Sequence, residues 1–425
     1  MLIYLQFLAA FVMLVILTRW LTRKTDPSFG TGRIVLALAA KVLMGCLYGY
    51  VFLKYYNGDD TWVFNADSMN EMRKLLDRPV HFFEDINLFR QISEYGLVQG
   101  LKEFRSKLEL AMIIKPLAIF NLFSKGNYYI NIIAFSAITF WGHFWLYQLI
   151  RQKLPESRNW VYLVIFLYPP VLFWLSGIRT DGILFFFFSL LLYQFNNWLA
   201  TGKRSGLYLT ILAFTGMLFI RVSTGFLLLP GLFAWWLVIR KKRPVRNTFI
   251  TVHALFLLFF FTTALLKGHF NLPGMVVNKQ QEFLVLKGKT RLALEPLNGN
   301  PVSFIKVFPQ AVANTTIFPF PWEAKGGLQY ITVIQNYFLI CLFLVVLIRR
   351  YPGRRFLAGE PLFTVLLFFS VCVYLSIGYT IPFPGAIVRY KVIPEISLLL
   401  LLLFAAGGKE LSNYKYFNVY KNTEK

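Results

Sequence analysis

The stretch IVLALAAKVLMGCLYGYVFLKYYNGDD, residues 34–60, is an apolar run that stops at two adjacent aspartates. Within 34–53 the only charged side chain is that of Lys41. A helix that crosses a bilayer needs about 20 mostly apolar residues. We therefore predict a membrane-spanning helix over 34–53, with Asp59 and Asp60 directly behind its end.

The rest of the chain has the same apolar character. Hydrophobic residues make up 57% of the 425 residues and charged residues only 15%, whereas a soluble domain has about 25% charged residues. We predict a single all-α polytopic membrane domain over residues 1–425. Its eleven predicted spans are about 2–19, 34–53, 128–150, 160–177, 181–199, 206–220, 223–240, 248–266, 331–349, 361–379 and 392–407. The first lacks a basic n-region and a cleavage site, so we do not expect a removed signal peptide.

The basic residues predict which side each link faces. They cluster in every second link, at 19–33, 151–158, 203–204, 240–246 and 349–355, and again in the tail at 408–425. Positive charge marks the cytoplasmic side of a membrane protein. We therefore predict that the N-terminus lies outside and that the C-terminus lies in the cytoplasm. The net charge of +24 follows from these clusters, so we do not predict a nucleic-acid partner.

Most of the acidic charge falls on the opposite side. Two long outward segments are predicted, 54–127 and 267–330, and the first holds 10 of the chain's 20 acidic residues. Transporters usually keep their polar groups within the spans. This chain instead has long outer segments and spans with few charged residues. We therefore expect any catalytic chemistry at the outer boundary between membrane and water.

The segment NGDDTWVFNADS, 57–68, carries the strongest candidate acids. Asn57-Gly58 ends the span, and Asp59 or Asp60 can cap a new helix and complement its dipole. On that helix Asp60 and Asp67 would share a face. One of these carboxylates is instead a candidate general base. Asp60 is favoured because Gly58-Asp59 more naturally forms the turn.

Four cations are predicted outside, against the topological bias. Arg179 lies in SGIRTDG, 176–182, Arg221 follows a span, and Arg389 and Lys391 lie in PFPGAIVRYK. An anionic partner is the simplest explanation, because Arg grips a phosphate with two nitrogens and Lys adds a point charge. Arg179 could also pair with the neighbouring Asp181, and lipid headgroups could occupy the others.

The loop FPFPWEAKG, 318–326, provides a second candidate carboxylate, Glu323. Its neighbour Trp322 also fits an interfacial anchor. The three cysteines and four histidines show no metal-ligand spacing. No cofactor is predicted, and a divalent metal has no D-x-D signature to support it.

In layout the chain resembles the GT-C superfamily of polytopic glycosyltransferases, which use polyprenyl-phosphate-linked sugars. YYNGDDT matches the acid that follows the family's first inward-to-outward span, in a large first outer loop. LAMIIKPLAIFNLF, about 110–123, resembles an interfacial helix, and RYKVIPEISLLLLLL is similar to the RYR-x-P type ending of many bacterial members. FPFPWE is similar to a loop motif of such envelope proteins.

The resemblance implies inverting sugar transfer from a polyprenyl phosphate to an acceptor hydroxyl, in a bacterial inner membrane. The acceptor could be a lipid, a glycan or a protein. The implied catalytic acids are Asp60, Asp59, Asp67 and Glu323. The implied phosphate-binding residues are Arg389, Lys391, Arg221 and Arg179. The alternatives are a flippase or transporter of a lipid-linked or anionic glycan, and a non-catalytic envelope assembly protein.

The predicted sidedness can be measured with reporter fusions. Alkaline phosphatase fused after Trp322 should be active and a green fluorescent protein fused there dark, because that loop is predicted to face outward. Fusions after Lys242 should behave in the opposite way. Phosphatase activity at Lys242 would contradict the topology.

Overall fold

The computed structural model describes residues 2–266, 268–287, 290–324, 326–349 and 359–406. These residues form α-helices joined by loops, short 3₁₀ helices and a π-helical segment, with no β-strand among them. The helices are α1 (Leu2–Thr25), α2 (Thr31–Tyr56), α3 (Asp59–Asp77), α4 (Leu88–Tyr95), α5 (Leu97–Ser124), α6 (Tyr128–Lys153), α7 (Arg158–Tyr162), α8 (Pro169–Ser176), α9 (Thr180–Thr201), α10 (Arg204–Ile220), α11 (Val222–Lys241), α12 (Val245–Thr262), α13 (Leu272–Val285), α14 (Pro301–Thr316), α15 (Gly327–Ile348), α16 (Pro361–Thr380), α17 (Pro384–Tyr390) and α18 (Val392–Ala406).

The described residues include 8 helices long and apolar enough to cross a membrane, or up to 9 if the bent pair that contains α7 and α8 is one span. The remaining two predicted spans coincide with α10 and α18, which are apolar but shorter. The prediction of an all-α membrane protein is thus confirmed. The number eleven, the sidedness and the interfacial position of the loop helices stay predictions. The tail 408–425 lies outside the described residues.

The chain divides into two compact units. The first unit comprises the residues up to Gln152, Ile165–Trp198 and Lys203–Val222. The second unit comprises Lys153–Val164, Leu199–Gly202 and the described residues from Ser223 onward. The prediction of a single domain stays a prediction, and each unit is described by itself.

In the first unit, a tight reversal joins the span α2 to α3. Asn57 adopts a left-handed conformation at the end of α2, and the Gly58 N–H donates to the Phe52 carbonyl at 2.9 Å. Such a left-handed residue satisfies carbonyls that a helix end leaves without partners. Because only Asn57 and Gly58 separate the helices, α3 begins where α2 stops.

The first turn of α3 is fixed by two neighbours. Trp62 Nε1 donates to the Gly49 carbonyl on α2 at 2.9 Å, and the Trp62 ring stacks on Tyr128 of α6 with 4.2 Å between ring centroids. The hydroxyls of Thr61 and Tyr128 lie 2.8 Å apart. Gly49 leaves room for the Tyr128 ring, which a Cβ atom at that position would overlap. The start of α3 is therefore held against both α2 and α6.

A buried amide network extends this attachment along α3. Asn131 of α6 donates to Asn65 Oδ1 at 2.8 Å and to Asn121 Oδ1 of α5 at 2.7 Å. Asn121 in turn donates to the Ser68 hydroxyl at 2.8 Å. Buried polar groups that are fully paired fix a unique packing. The network joins α3, α5 and α6 below the first turn of α3.

Two of the acidic residues in 54–127 are partners of a buried lysine. Lys115 of α5 is buried, and its Nζ donates to Glu71 at 2.8 Å and to Asp85 at 2.9 Å. It also donates to the Phe82 carbonyl. Glu71, which the helical spacing puts on one face with Asp60, is therefore a partner of Lys115. These contacts join α3 and the turns after it to α5.

In the second unit, α14 packs on α16 around an aromatic core. The Tyr379 hydroxyl donates to the Phe304 carbonyl at 2.9 Å, and the two rings meet edge to face. The backbones approach closely at Gly378, where a Cβ atom would fall on the Ala311 carbonyl oxygen. Only glycine allows this separation of the two helices.

Gly378→Ala should destabilise the second unit, because the obstructing atoms belong to the backbone of α14 and cannot move aside. Overpacking of this kind costs about 1–3 kcal/mol. The measurement is the thermal unfolding temperature in detergent micelles. Gly385→Ala is the matched control, since no atom lies within 4 Å of its added Cβ. Equal unfolding temperatures for the two variants would contradict this packing.

Candidate active site

One buried arginine joins the two predicted motifs of the first unit. Arg179 lies in the turn between α8 and α9 and is 3% exposed. Its Nη1 donates to Asp59 Oδ2 at 2.5 Å and its Nη2 donates to Asp60 Oδ2 at 2.6 Å. Nη1 also donates to the Tyr48 hydroxyl of α2 at 3.2 Å. The guanidinium thus holds both aspartates at the start of α3.

The backbone brings these aspartates to Arg179 at a conformational cost. Asn57, Gly58 and Asp59 have φ values of 53°, 97° and 44° in succession. Positive φ is unusual for residues other than glycine, although Asn and Asp tolerate it better than most. Such strain persists only where surrounding contacts over-determine it, and it is concentrated at functional sites. Here the ion pairs with Arg179 and the Trp62 contacts provide that constraint.

The two carboxylates differ in their access to solvent. The Asp59 side chain is 33% exposed and the Asp60 side chain is 58% exposed. Each uses Oδ2 for Arg179, and neither Oδ1 has a hydrogen bond within the described ranges. An acceptor group can approach Asp60 more freely than Asp59. This difference favours Asp60 as the base, which stays a prediction.

Arg221 belongs to the same unit and neutralises Asp181 at the start of α9. Its Nη2 donates to Asp181 Oδ1 at 2.7 Å, and the Asp181 side chain is almost fully buried. A simple pair between Arg179 and Asp181 therefore does not account for either residue. Burial lowers the pKa of Arg179, but interactions with Tyr48, Asp181 and the two aspartates of α3 raise it by more. The pKa of the Arg179 guanidinium consequently lies above its ordinary value.

Glu109 of α5 lies near enough to Arg221 and Asp181 for their charges to act on it. The sequence did not single out this residue. Burial raises the pKa of its carboxyl, Arg105 and Arg221 lower it, and Asp181 raises it again, with a net increase. A carboxyl with a raised pKa near other charged groups is a feature of functional sites. In the sequence Glu109 is one of ten acids in the first long segment, and no local motif distinguishes it.

A buried Lys–His pair supports the turn that carries Arg179. Lys41 Nζ donates to the Leu175 carbonyl at 2.9 Å, near the end of α8, and lies 3.3 Å from His143 Nε2. His143 Nδ1 lies 2.7 Å from the Ile165 carbonyl. When Nδ1 donates to that carbonyl, Nε2 is the acceptor for Lys41. His143 therefore has a buried lysine as its hydrogen-bond partner.

Asp67 lies two turns along α3 from Asp60 and is half-buried. It makes no ion pair with a residue that the structure describes. It is therefore not joined to Arg179, as Asp59 and Asp60 are. Its predicted catalytic role stays a prediction.

Arg389 and Lys391 belong to the second unit and have different partners. Lys391 is 1% exposed, and its Nζ donates to the Thr315 carbonyl at 3.3 Å and to Asn336 Oδ1. Arg389 is half-buried, and its Nη2 donates to the Tyr390 hydroxyl at 2.8 Å. A phosphate could bind Lys391 only by displacing its present contacts, whereas Arg389 is more accessible.

Glu323, the fourth predicted acid, is exposed in a short turn of the second unit. Its Oε2 accepts from the Phe320 N–H at 3.0 Å. No group of three or more His, Cys, Asp or Glu side chains that could hold a metal occurs in the described part of the chain.

No protein-family model, curated protein or solved structure matches this chain. The resemblance to the GT-C superfamily stays a prediction from the layout and from the short motifs YYNGDDT, LAMIIKPLAIFNLF, RYKVIPEISLLLLLL and FPFPWE.

Arg179→Lys should lower the stability of the first unit although it keeps the charge. A lysine ammonium cannot present the fork that reaches both Asp59 and Asp60. We expect a loss of about 1–2 kcal/mol, since the exposed carboxylates are partly screened by solvent. Thermal unfolding in micelles measures it, with Arg73→Lys on the exposed side of α3 as the control. Equal stability of both variants would show that the fork has no structural role.

Glu109→Gln should stabilise the protein at neutral pH but not in acid. The raised pKa means that the wild-type protein loses stability as the pH rises from the ordinary value of 4.5 to the raised one. Glutamine removes this loss, so unfolding temperatures should match near pH 4 and diverge at pH 7. Glu103→Gln on the same helix is the control. A less stable Glu109→Gln variant at pH 7 would contradict this assignment.

Proposed function

We propose that the protein is a membrane glycosyltransferase that moves a sugar from a polyprenyl phosphate to an acceptor hydroxyl on the outer face of the membrane. One observation carries the proposal: Arg179 binds two aspartates on a strained turn directly after a membrane-spanning helix. In the predicted topology this turn lies at the outer boundary of the membrane, where a lipid-linked donor would present its headgroup to a base. The resemblance to the GT-C superfamily supports the same assignment.

The proposed reaction is a single displacement. Asp60 accepts the proton of the acceptor hydroxyl, whose oxygen forms a bond to the anomeric carbon of the sugar. The bond from that carbon to the phosphate oxygen breaks, and its electron pair leaves with the polyprenyl phosphate. Direct attack from the opposite side inverts the anomeric centre, as in inverting glycosidases.

Arg179 acts in this proposal as a positioning residue. Its guanidinium binds one oxygen of each carboxylate and so fixes where both aspartates lie at the start of α3. Since its Nη1 and Nη2 nitrogens already bind Asp59 and Asp60, phosphate binding falls to the other predicted cations. Of the two predicted cations in the second unit, Arg389 is the more accessible, because Lys391 is buried and bonded. Arg221 is the candidate within the first unit.

A transporter of an anionic glycan is the second candidate function. The buried pair of Lys41 and His143 favours it, because ionisable groups within membrane spans often mark transport pathways. A pathway would require these residues to exchange partners, whereas transferase chemistry needs them only to hold the turn. Substrate movement without covalent change would identify the transporter. The third alternative, an envelope assembly protein, predicts neither movement nor transfer.

Asp60→Asn should keep the fold and lose most of the transfer rate. The assay is release of citronellyl phosphate from a panel of citronellyl-phosphoryl hexoses and pentoses, with proteoliposomes and a detergent extract of bacterial envelope as the acceptor source. Loss of a general base should reduce release by about 10²–10⁴-fold. Asp77→Asn, at the exposed end of α3, is the matched control.

The outcomes separate the alternatives. Normal release by Asp60→Asn together with failure of Asp59→Asn would transfer the role of base to Asp59. Equal rates for both variants and the wild-type protein would contradict the proposed site. Absence of release by the wild-type protein from every donor in the panel would contradict the transferase proposal itself.

A further inference from the structure

The second unit contains a cavity of about 750 Å³ that the proposed reaction does not use. Its lining comes from the extended segment that begins at Thr290, from α14 and from the loop that contains Trp322. Small-molecule sites in proteins have volumes of about 300–1,000 Å³. The volume is therefore suited to a ligand larger than a single ion.

One wall of the cavity is fixed by a glutamine of α14. Gln310 Nε2 donates to the Ala293 carbonyl at 3.0 Å, and its Oε1 accepts from the Glu295 N–H at 2.9 Å. The Leu292 N–H donates to the Pro382 carbonyl at 2.7 Å. These protein contacts hold the extended segment against α14 and the Pro382 carbonyl, and so define this wall of the cavity.

A buried amide in the lining has no hydrogen-bond partner among the described residues. Asn314 of α14 is 2% exposed, and its Nδ2 makes no hydrogen bond with any residue that the structure describes. A buried donor without a partner costs about 1–3 kcal/mol. Because Asn314 lines the cavity, a ligand oxygen there would satisfy this donor.

The other lining groups indicate what kind of ligand fits. Trp322 is 78% exposed, and its ring stacks on Phe320 with 4.7 Å between centroids and an interplanar angle of 8°. Arg291, whose Nη2 donates to the Leu284 carbonyl at 2.9 Å, and Glu323 bring opposite charges to the lining. The site thus offers a flat aromatic face, donors and an acceptor, without an excess of positive charge.

We infer that this cavity is a binding site for an uncharged oligosaccharide. Each sugar hydroxyl can both donate and accept a hydrogen bond, which matches the amide of Asn314 and the carboxylate of Glu323. The apolar C–H face of a pyranose matches the fixed Trp322 ring. A membrane-anchor role for Trp322 would account for its exposure, but not for the buried Nδ2 of Asn314, which has no hydrogen bond within the described part of the chain.

The inference goes beyond the proposed function and does not depend on it. A glycan held in this cavity would be a bound partner of the second outer segment, whether or not the first unit transfers a sugar. The test is therefore a binding measurement without any lipid-linked donor, so its failure leaves the transferase proposal untouched.

Binding is measured by isothermal titration calorimetry on the full chain in nanodiscs. The probes are maltotriose, cellotriose and triacetylchitotriose, with inorganic phosphate as an anionic comparison. At least one trisaccharide should bind. Trp322→Ala should weaken that binding about tenfold or more, because a tryptophan that a ligand covers usually supplies a large share of the binding energy. Asn314→Leu should weaken it about 3–10-fold, as loss of one hydrogen bond does.

The control variant is Trp160→Ala, which removes an exposed tryptophan from a predicted span. It should bind the probe as the wild-type protein does. Absence of binding by all three trisaccharides overturns the inference, and so does binding that both Trp322→Ala and Asn314→Leu leave unchanged. Binding of phosphate that displaces the sugar would identify an anion site instead. Trp322→Ala alone keeps the test decisive if Asn314→Leu does not fold.

Discussion

The first unit depends on the charge compensation between Arg179 and the two aspartates that begin α3. A guanidinium that is almost fully buried is stable only when its charge and its N–H groups find partners. Asp59, Asp60 and the Tyr48 hydroxyl supply them. The partners in turn require the abrupt left-handed reversal at Asn57 and Gly58, without which α3 would start elsewhere. The ion pairs of Arg179 and the strained turn at Asn57-Gly58 therefore depend on each other.

The membrane explains why this constraint is strict. Helices that cross a bilayer cannot leave backbone or charged groups without partners. Lys41 accordingly bonds the carbonyl near the end of α8, and Lys391 bonds Thr315 and Asn336. Both lysines are buried and paired within the protein. The two aspartates differ from them, because each keeps one carboxylate oxygen with no hydrogen bond inside the described residues. That contrast is why the chemistry is assigned to the aspartates and not to the buried lysines.

The apolar runs were sufficient to predict the helical fold, because length and hydrophobicity are local properties of the sequence. The end of α2 at Asn57-Gly58 was predictable for the same reason, since turn residues act on their own backbone. The partners of Arg179 were not: residues 119 and 120 positions apart meet only through the packing of α2, α6 and α8. Glu109 and His143 could not be found from the sequence, because their environments consist entirely of such distant contacts. The structure was also needed to show that Arg179 bonds to Asp59 and Asp60, whereas Asp181 bonds to Arg221.

The most direct measurement is an experimental structure in nanodiscs with a non-hydrolysable citronellyl phosphonate sugar bound. We expect the anomeric carbon of the analogue to lie beside the Asp60 carboxylate, with Arg179 still bonded to Asp59 and Asp60. Its phosphonate should contact a cation other than Arg179. An analogue bound away from the start of α3 would contradict the proposed catalytic site, and the aspartates would then only cap a helix held by a buried arginine.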